Sequence, residues 1–133
     1  MDSVKVPFFE LPDEGGDVFR SEEMIGLKWI LACVPGHDLD VLQLLESRHA
    51  KAMMMNAPLI VVSDMPHEDV VSLRSELGIR LKIVSDENGA VLSSLRTEGP
   101  SLIVLNREHG IVQTYRGIDV QTLDRALRKA SRL

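Results

Sequence analysis

The hydrophobic positions of this chain alternate between two kinds of pattern. Lys28 to Val34 and Leu59-Ile60-Val61-Val62-Ser63, the latter opened by Pro58, are nearly continuous apolar runs. Such runs are the mark of strands covered on both faces. Leu81-Lys82-Ile83-Val84 predicts a third strand. Between these runs the apolar residues recur at helical spacing. Val41, Leu42, Leu44, Leu45, His49 and Ala52 lie on one helical face, with Asp38 or Asp40 placed to cap it. Val70, Val71, Leu73 and Leu77 mark a second helix that starts near Asp64 and Pro66 and stops at Gly78.

The remaining elements are shorter. Phe8 to Leu11 reads as an extended piece closed by Pro12 and Asp13-Glu14-Gly15-Gly16, and Asp17 to Arg20 can pair back on it as a hairpin. Ser21 to Ile25 predicts one helical turn stopped at Gly26. A short helix at Ala90 to Leu95 follows the turn Asp86-Glu87-Asn88-Gly89. Ser101–Asn106 and Ile111–Arg116 predict a hairpin around Arg107-Glu108-His109-Gly110, with Gly110 at the turn. Asp119 caps a last helix carrying Val120, Leu123, Ala126 and Leu127. Alternation of strands and helices implies parallel central strands, and the late hairpin adds antiparallel ones. The predicted fold class is therefore α/β: a central mixed sheet with helices on both faces and an N-terminal hairpin.

Composition narrows the picture without changing it. The 133 residues suit a single domain, 1–133, and 44% hydrophobic with 26% charged residues is ordinary for a soluble globular chain. One cysteine makes no internal disulfide, so nothing points to secretion. The N-terminus lacks a signal pattern, and the run Trp29 to Pro35 is far too short to span a membrane. A cytoplasmic location and no membrane partner are the expectations. A net charge of −5 disfavours nucleic acid as a partner. The basic residues Arg125, Arg128, Lys129 and Arg132 suit a helix C-terminus. Met53-Met54-Met55 reads as a helix end filling gaps in the core. No Gly-rich phosphate loop, Ser-His-Asp order or pair of catalytic carboxylates stands out, and no cofactor is expected.

The order of elements, taken with particular residues, resembles the thioredoxin fold and within it the peroxiredoxin (AhpC/TSA) group. "VPFFELPDEGGDVFRSEEMIGLKWIL" is similar to the opening of that family, and "LIVVSD" to its second core strand. "LGIRLKIVSDENGAV" resembles the segment leading to its Asp-x-x-Gly turn, and "PSLIVLNREHGIVQTYRG" the hairpin it shares with thioredoxins. The resemblance spans roughly residues 5–118. It implies a thioredoxin-like domain of peroxiredoxin type.

The same resemblance locates an active site. Peroxiredoxins carry a proline, then a threonine, then the peroxidatic cysteine at the start of the first core helix. Counted from Pro35, those positions are Leu39 and Leu42. The family's arginine position falls at Gly99, three residues from Arg96. In a thioredoxin register, "PGHD", Pro35 to Asp38, is the Cys-x-x-Cys slot and holds no cysteine. Peroxide reduction needs a thiolate stabilised by a helix N-terminus and a nearby arginine. Leu42 supplies no thiol and Leu39 no hydroxyl. Cys33 lies on the strand side of Pro35, where burial works against ionisation. It reads as a small apolar residue, and as a catalytic thiol only in the alternative of a one-Cys peroxidase.

Two further features belong to the same place. Pro100 falls where thioredoxins keep a cis-proline, so a cis Gly99–Pro100 bond is expected, with an adjacent backbone that binds extended peptides. His37, Asp38 and Asp40, with Glu98, have no metal-ligand spacing, and no metal is expected. The sequence thus favours a redox-degenerate binding or assembly module. Its groove would be formed by Pro35, Gly36, His37, Asp38, Leu39, Leu42, Gly99 and Pro100, and its partner would be a protein, a peptide or a second copy in a homodimer. The alternative is an antioxidant oxidoreductase that uses Cys33.

Overall fold

In a computed structural model, which describes residues 4–36, 38–95 and 99–133, the apolar runs form the middle of a five-stranded sheet. Strands β1 (Glu10–Pro12) and β2 (Val18–Arg20) make the N-terminal hairpin, followed by a 3-10 turn at Ser21–Met24. The main sheet contains β3 (Trp29–Cys33), β4 (Leu59–Ser63), β5 (Lys82–Ser85), β6 (Ser101–Leu105) and β7 (Ile111–Arg116), in the order β5-β4-β3-β6-β7. Strand β4 runs parallel to β3 and β5, whereas β6 is antiparallel to β3 and β7. The helices are α1 (Leu39–Met54), α2 (His67–Leu77), α3 (Ala90–Ser94) and α4 (Val120–Ser131). Among the described residues no helix is long and apolar enough to cross a membrane.

Side chains alternate along a strand, so β3 divides the core in two. Ile30, Ala32 and Val34 join Leu42 and Leu45 of α1, Val70 and Leu73 of α2, and Leu123 and Leu127 of α4. Trp29, Leu31 and Cys33 join Phe9, Phe19 and Met24 of the N-terminal segment and Leu92 of α3. Helices therefore cover both faces unequally: three on one, and a short helix with the hairpin on the other. Every residue of β3, β4 and β6 is buried. Each large apolar side chain so buried contributes about 1.5–3 kcal/mol, which is why these runs occupy the centre.

The β5 edge is closed by the hairpin turn. Glu14 accepts hydrogen bonds from the Ile83 amide at 3.1 Å and from Arg74 at 2.6 Å, and Asp13 accepts from Lys82 at 2.9 Å. Burial alone would raise the pKa of Asp13. Lys82 and the amides of Gly15 and Asp17 outweigh it and hold the carboxyl below its ordinary 3.8.

Two local expectations fail for identifiable reasons. The turn between β6 and β7 has its left-handed residue at His109, φ 68°, not at Gly110. The Asn106 side chain accepts from the amides of Glu108 and Gly110, both at 2.9 Å, and this Asx-type closure sets the turn. Met53 and Met54 are exposed rather than filling gaps; only Met55 packs against the core.

Candidate functional site at the end of the central sheet

Strand β3 ends, β4 ends and β6 begins at one end of the sheet, since Cys33 is the register partner of both Val62 and Ser101. From β3 the chain crosses through α1 to β4 on one side, while β6 lies on the other. In open α/β sheets the crevice beyond strand C-termini at such a point is the usual ligand position.

The loop leaving β3 is pinned to the loop leaving β4. The Gly36 amide donates to Asp64 Oδ1 at 2.6 Å, and Ser63 Oγ donates to the Gly36 carbonyl at 3.2 Å. Ser63 Oγ also accepts from the Met65 amide at 3.2 Å, so one hydroxyl ties both loops. Gly36 has φ +75°, which a side chain would strain, and it is exposed. Pro35 is half-buried beside it. His37 lies outside the described residues, as do Arg96 and Glu98. Neither Asp64 nor Ser63 carries a sequence signal of a site role. Asp64 reads there as a helix start, yet its side chain crosses to Gly36, and Pro66 takes the N-cap position of α2.

Asp38, not Asp40, caps α1, its Oδ1 accepting from the Val41 amide at 3.2 Å. The positive end of the helix is thus met by a carboxylate, with Asp40 in the first turn as well. Leu39, the first helical residue, is exposed. Leu42 is 0% exposed and packs in the α1-side core. It points inward and offers the mouth of the loop nothing but backbone.

Cys33 is also 0% exposed, but it belongs to the opposite core with Leu31, Val62 and Ile103. The sheet itself separates it from Leu42. One residue of strand pleat sets this: Val34, next along, faces the α1 side.

Gly99 and Pro100 approach from the far side of β3, immediately before Ser101. No described peptide bond is cis, so the expected cis Gly99–Pro100 bond is corrected to trans, and the peptide-binding geometry inferred from it falls away. Gly99 makes the turn into β6 with φ +79° instead. The Pro100 carbonyl accepts from the Gly117 amide at 2.7 Å, tying this turn to the one before α4. That helix is closed by a reciprocal cap between Asp119 and Thr122.

A second polar group unread in the sequence lies across the sheet. His109 is 2% exposed, with its ring centroid 4.9 Å from that of Phe8 and 5.5 Å from that of Trp29. Among the described residues, neither of its ring nitrogens nor Trp29 Nε1 has a hydrogen-bond partner. Burial pushes the His109 pKa below its ordinary 6.5. A histidine two residues after an exposed hairpin arginine carries no sequence signal of such burial.

No protein-family model and no curated relative matches this chain in sequence. Solved structures match its fold. Peroxidoxin BcpB from Mycobacterium tuberculosis superposes with a TM-score of 0.85 at 15% identity, over 98% of this chain and 96% of that one. The bacterioferritin comigratory protein of Xanthomonas campestris, from a study of alkyl peroxide reduction, gives a TM-score of 0.85 at 15% identity, over 98% of both chains. A candidate thiol:disulfide interchange protein DsbE from Chlorobium tepidum gives 0.83 at 15% identity, over 98% of both chains. The chain has the thioredoxin fold in a peroxiredoxin-like arrangement.

Proposed function

We propose that this chain is a peroxiredoxin-like module without peroxidase activity, which binds a protein or peptide partner at the loops around Gly36, Asp38 and Leu39. The observation that carries this reading is the first turn of α1. Where the fold offers a thiolate its helix field, the turn holds Asp38 as cap, exposed Leu39 and inward-facing Leu42. A carboxylate already uses the field, and an anionic nucleophile beside Asp38 and Asp40 would be repelled rather than stabilised.

The alternative, a one-Cys peroxidase at Cys33, requires peroxide to reach a fully buried atom on the other face of the sheet. That thiol is also a strand residue, outside the field of the α1 N-terminus. The Gly36 backbone, by contrast, is exposed and anchored at both its amide and its carbonyl by Asp64 and Ser63, which lowers the cost of ordering it on docking.

Two measurements test the proposal. Peroxide consumption with excess dithiothreitol is expected to match a protein-free control; turnover abolished by Cys33→Ser would overturn the catalytic half. Binding of peptides selected from a random displayed library against the full chain is expected to weaken about tenfold on Asp64→Ala, which frees the Gly36 amide. Selected binders indifferent to Asp64→Ala and to Asp38→Lys would overturn the binding half.

A further inference from the structure

The two edges of the main sheet are finished differently. The β5 edge is capped by Asp13 and Glu14. Among the described residues no strand pairs with β7 beyond Ile111 on the side away from β6: Gln113, Thr114 and Arg116 are exposed along it, and the N-terminal segment bonds only at its start, the Ile111 amide donating to the Val4 carbonyl and the Val6 amide to the His109 carbonyl. An edge left unpaired in this way among the described residues is a template for another strand.

Beside that edge lies a basic stripe. Arg125 and Lys129 of α4 and Arg132, its C-cap, follow at helical spacing, and with Arg128 and Tyr115 of β7 they line a shallow cleft of about 180 Å³. The stripe from Arg125 to Arg132 runs about 10 Å along the helix. Among the described residues none of these four cations has an ion pair, although α4 holds Asp124 paired to Arg48 at 3.3 Å. The chain carries a net charge of −5, so the unpaired cations form a local reversal of its field.

We infer that the β7 edge and α4 together bind an extended acidic segment of a partner protein by strand addition. An added strand would take its backbone hydrogen bonds from β7. Every second side chain would stand on the α4 side, the side on which Tyr115 packs, within reach of the arginines. Guanidinium groups pair carboxylates in bidentate fashion, so acidic residues at alternate positions fit the stripe. Two features decide against other occupants. A small phosphate could use the cations but not the strand edge. A second copy paired through the same edge would set one basic stripe against another.

The test uses fluorescence anisotropy on the full chain with a labelled decapeptide of alternating Glu and Thr. Its Lys-Thr counterpart and a version N-methylated at alternate residues serve as comparisons. The Glu-Thr peptide is expected to bind, and the Lys-Thr peptide not. Arg125→Glu with Lys129→Glu is expected to weaken binding at least about tenfold, with only a small drop in the urea midpoint from the acid placed in the last turn of α4, a drop that Lys129→Glu alone reproduces. Raising salt from about 50 to about 300 mM is expected to weaken it several-fold. N-methylation is expected to weaken it comparably. Equal binding by the double variant overturns the site. Full competition by inorganic triphosphate with no effect of N-methylation reduces it to a simple anion site and overturns strand addition. A concentration-dependent dimer abolished by the double variant identifies a second copy as the occupant and overturns the acidic partner.

Discussion

The two faces of the sheet at the end of β3 meet the same strand one residue apart, and they have opposite chemistry. On the α1 side a helix N-terminus, two polar anchors and an exposed loop form a built surface, but the residue at the heart of its first turn is a core leucine. On the other side sits the chain's one thiol, packed among Leu31, Val62 and Ile103 under the N-terminal hairpin and α3. A reactive site needs both halves in one place: a nucleophile and a field that ionises it. Here the pleat of β3 separates them. A cysteine close to such a loop in sequence is thereby structurally remote from it.

The largest expected effect comes from the α1 side. Leu42→Ala should destabilise the chain by about 2–5 kcal/mol in urea unfolding, because its side chain is fully buried between α1 and the sheet. A loss below about 0.5 kcal/mol would mean the turn is a loose, solvated site rather than core, since surface changes fall in that range.

The second contrast is between the capped and open edges. Glu14→Ala strips the Ile83 amide and Arg74 of their acceptor, and a cost of about 1–3 kcal/mol is expected. The same substitution should leave Glu-Thr peptide binding at β7 unchanged. A coupled loss of both would show that the edges do not act independently.

The face beneath the hairpin carries a pH dependence. His109 has a folded pKa below its ordinary 6.5, so its neutral form contributes stability that is fully present above that value. As pH falls below 6.5, the unfolded chain takes up the proton first, and stability declines until the folded pKa is reached. Urea midpoints between pH 7 and pH 5 should fall, and His109→Phe should flatten that part of the profile. An unchanged slope in His109→Phe would assign the decline elsewhere. Asp13, with its pKa held below 3.8, loses its contribution only in the more acid range, as pH falls through that depressed value.

Much of the fold was legible in residue patterns. The strands at Leu59–Ser63 and Ile111–Arg116 have the bounds their apolar runs and flanking turns imply, and Gly78 and Asp119 end and start helices as their chemistry requires. What was not legible depends on contacts between distant residues. Asp64 looks like a helix start because nothing local reveals that its side chain reaches back to Gly36. Gly110 looks like the turn residue because the Asn106 side chain, which fixes His109 in the left-handed region, acts over several positions. Pro100 suggests a cis bond by analogy with thioredoxins, whereas the chain turns into β6 at Gly99, in the left-handed region. The separation of Cys33 from Leu42 follows from strand alternation and was available in principle, but only once Val34 is known to face α1.

The most direct test of that separation is the reaction of Cys33 with a chromogenic disulfide reagent under native conditions. No labelling faster than global unfolding is expected, with the rate rising along the unfolding limb as urea is added and full labelling on denaturation. Rapid native labelling at a rate independent of urea would place the thiol in contact with solvent and contradict the account.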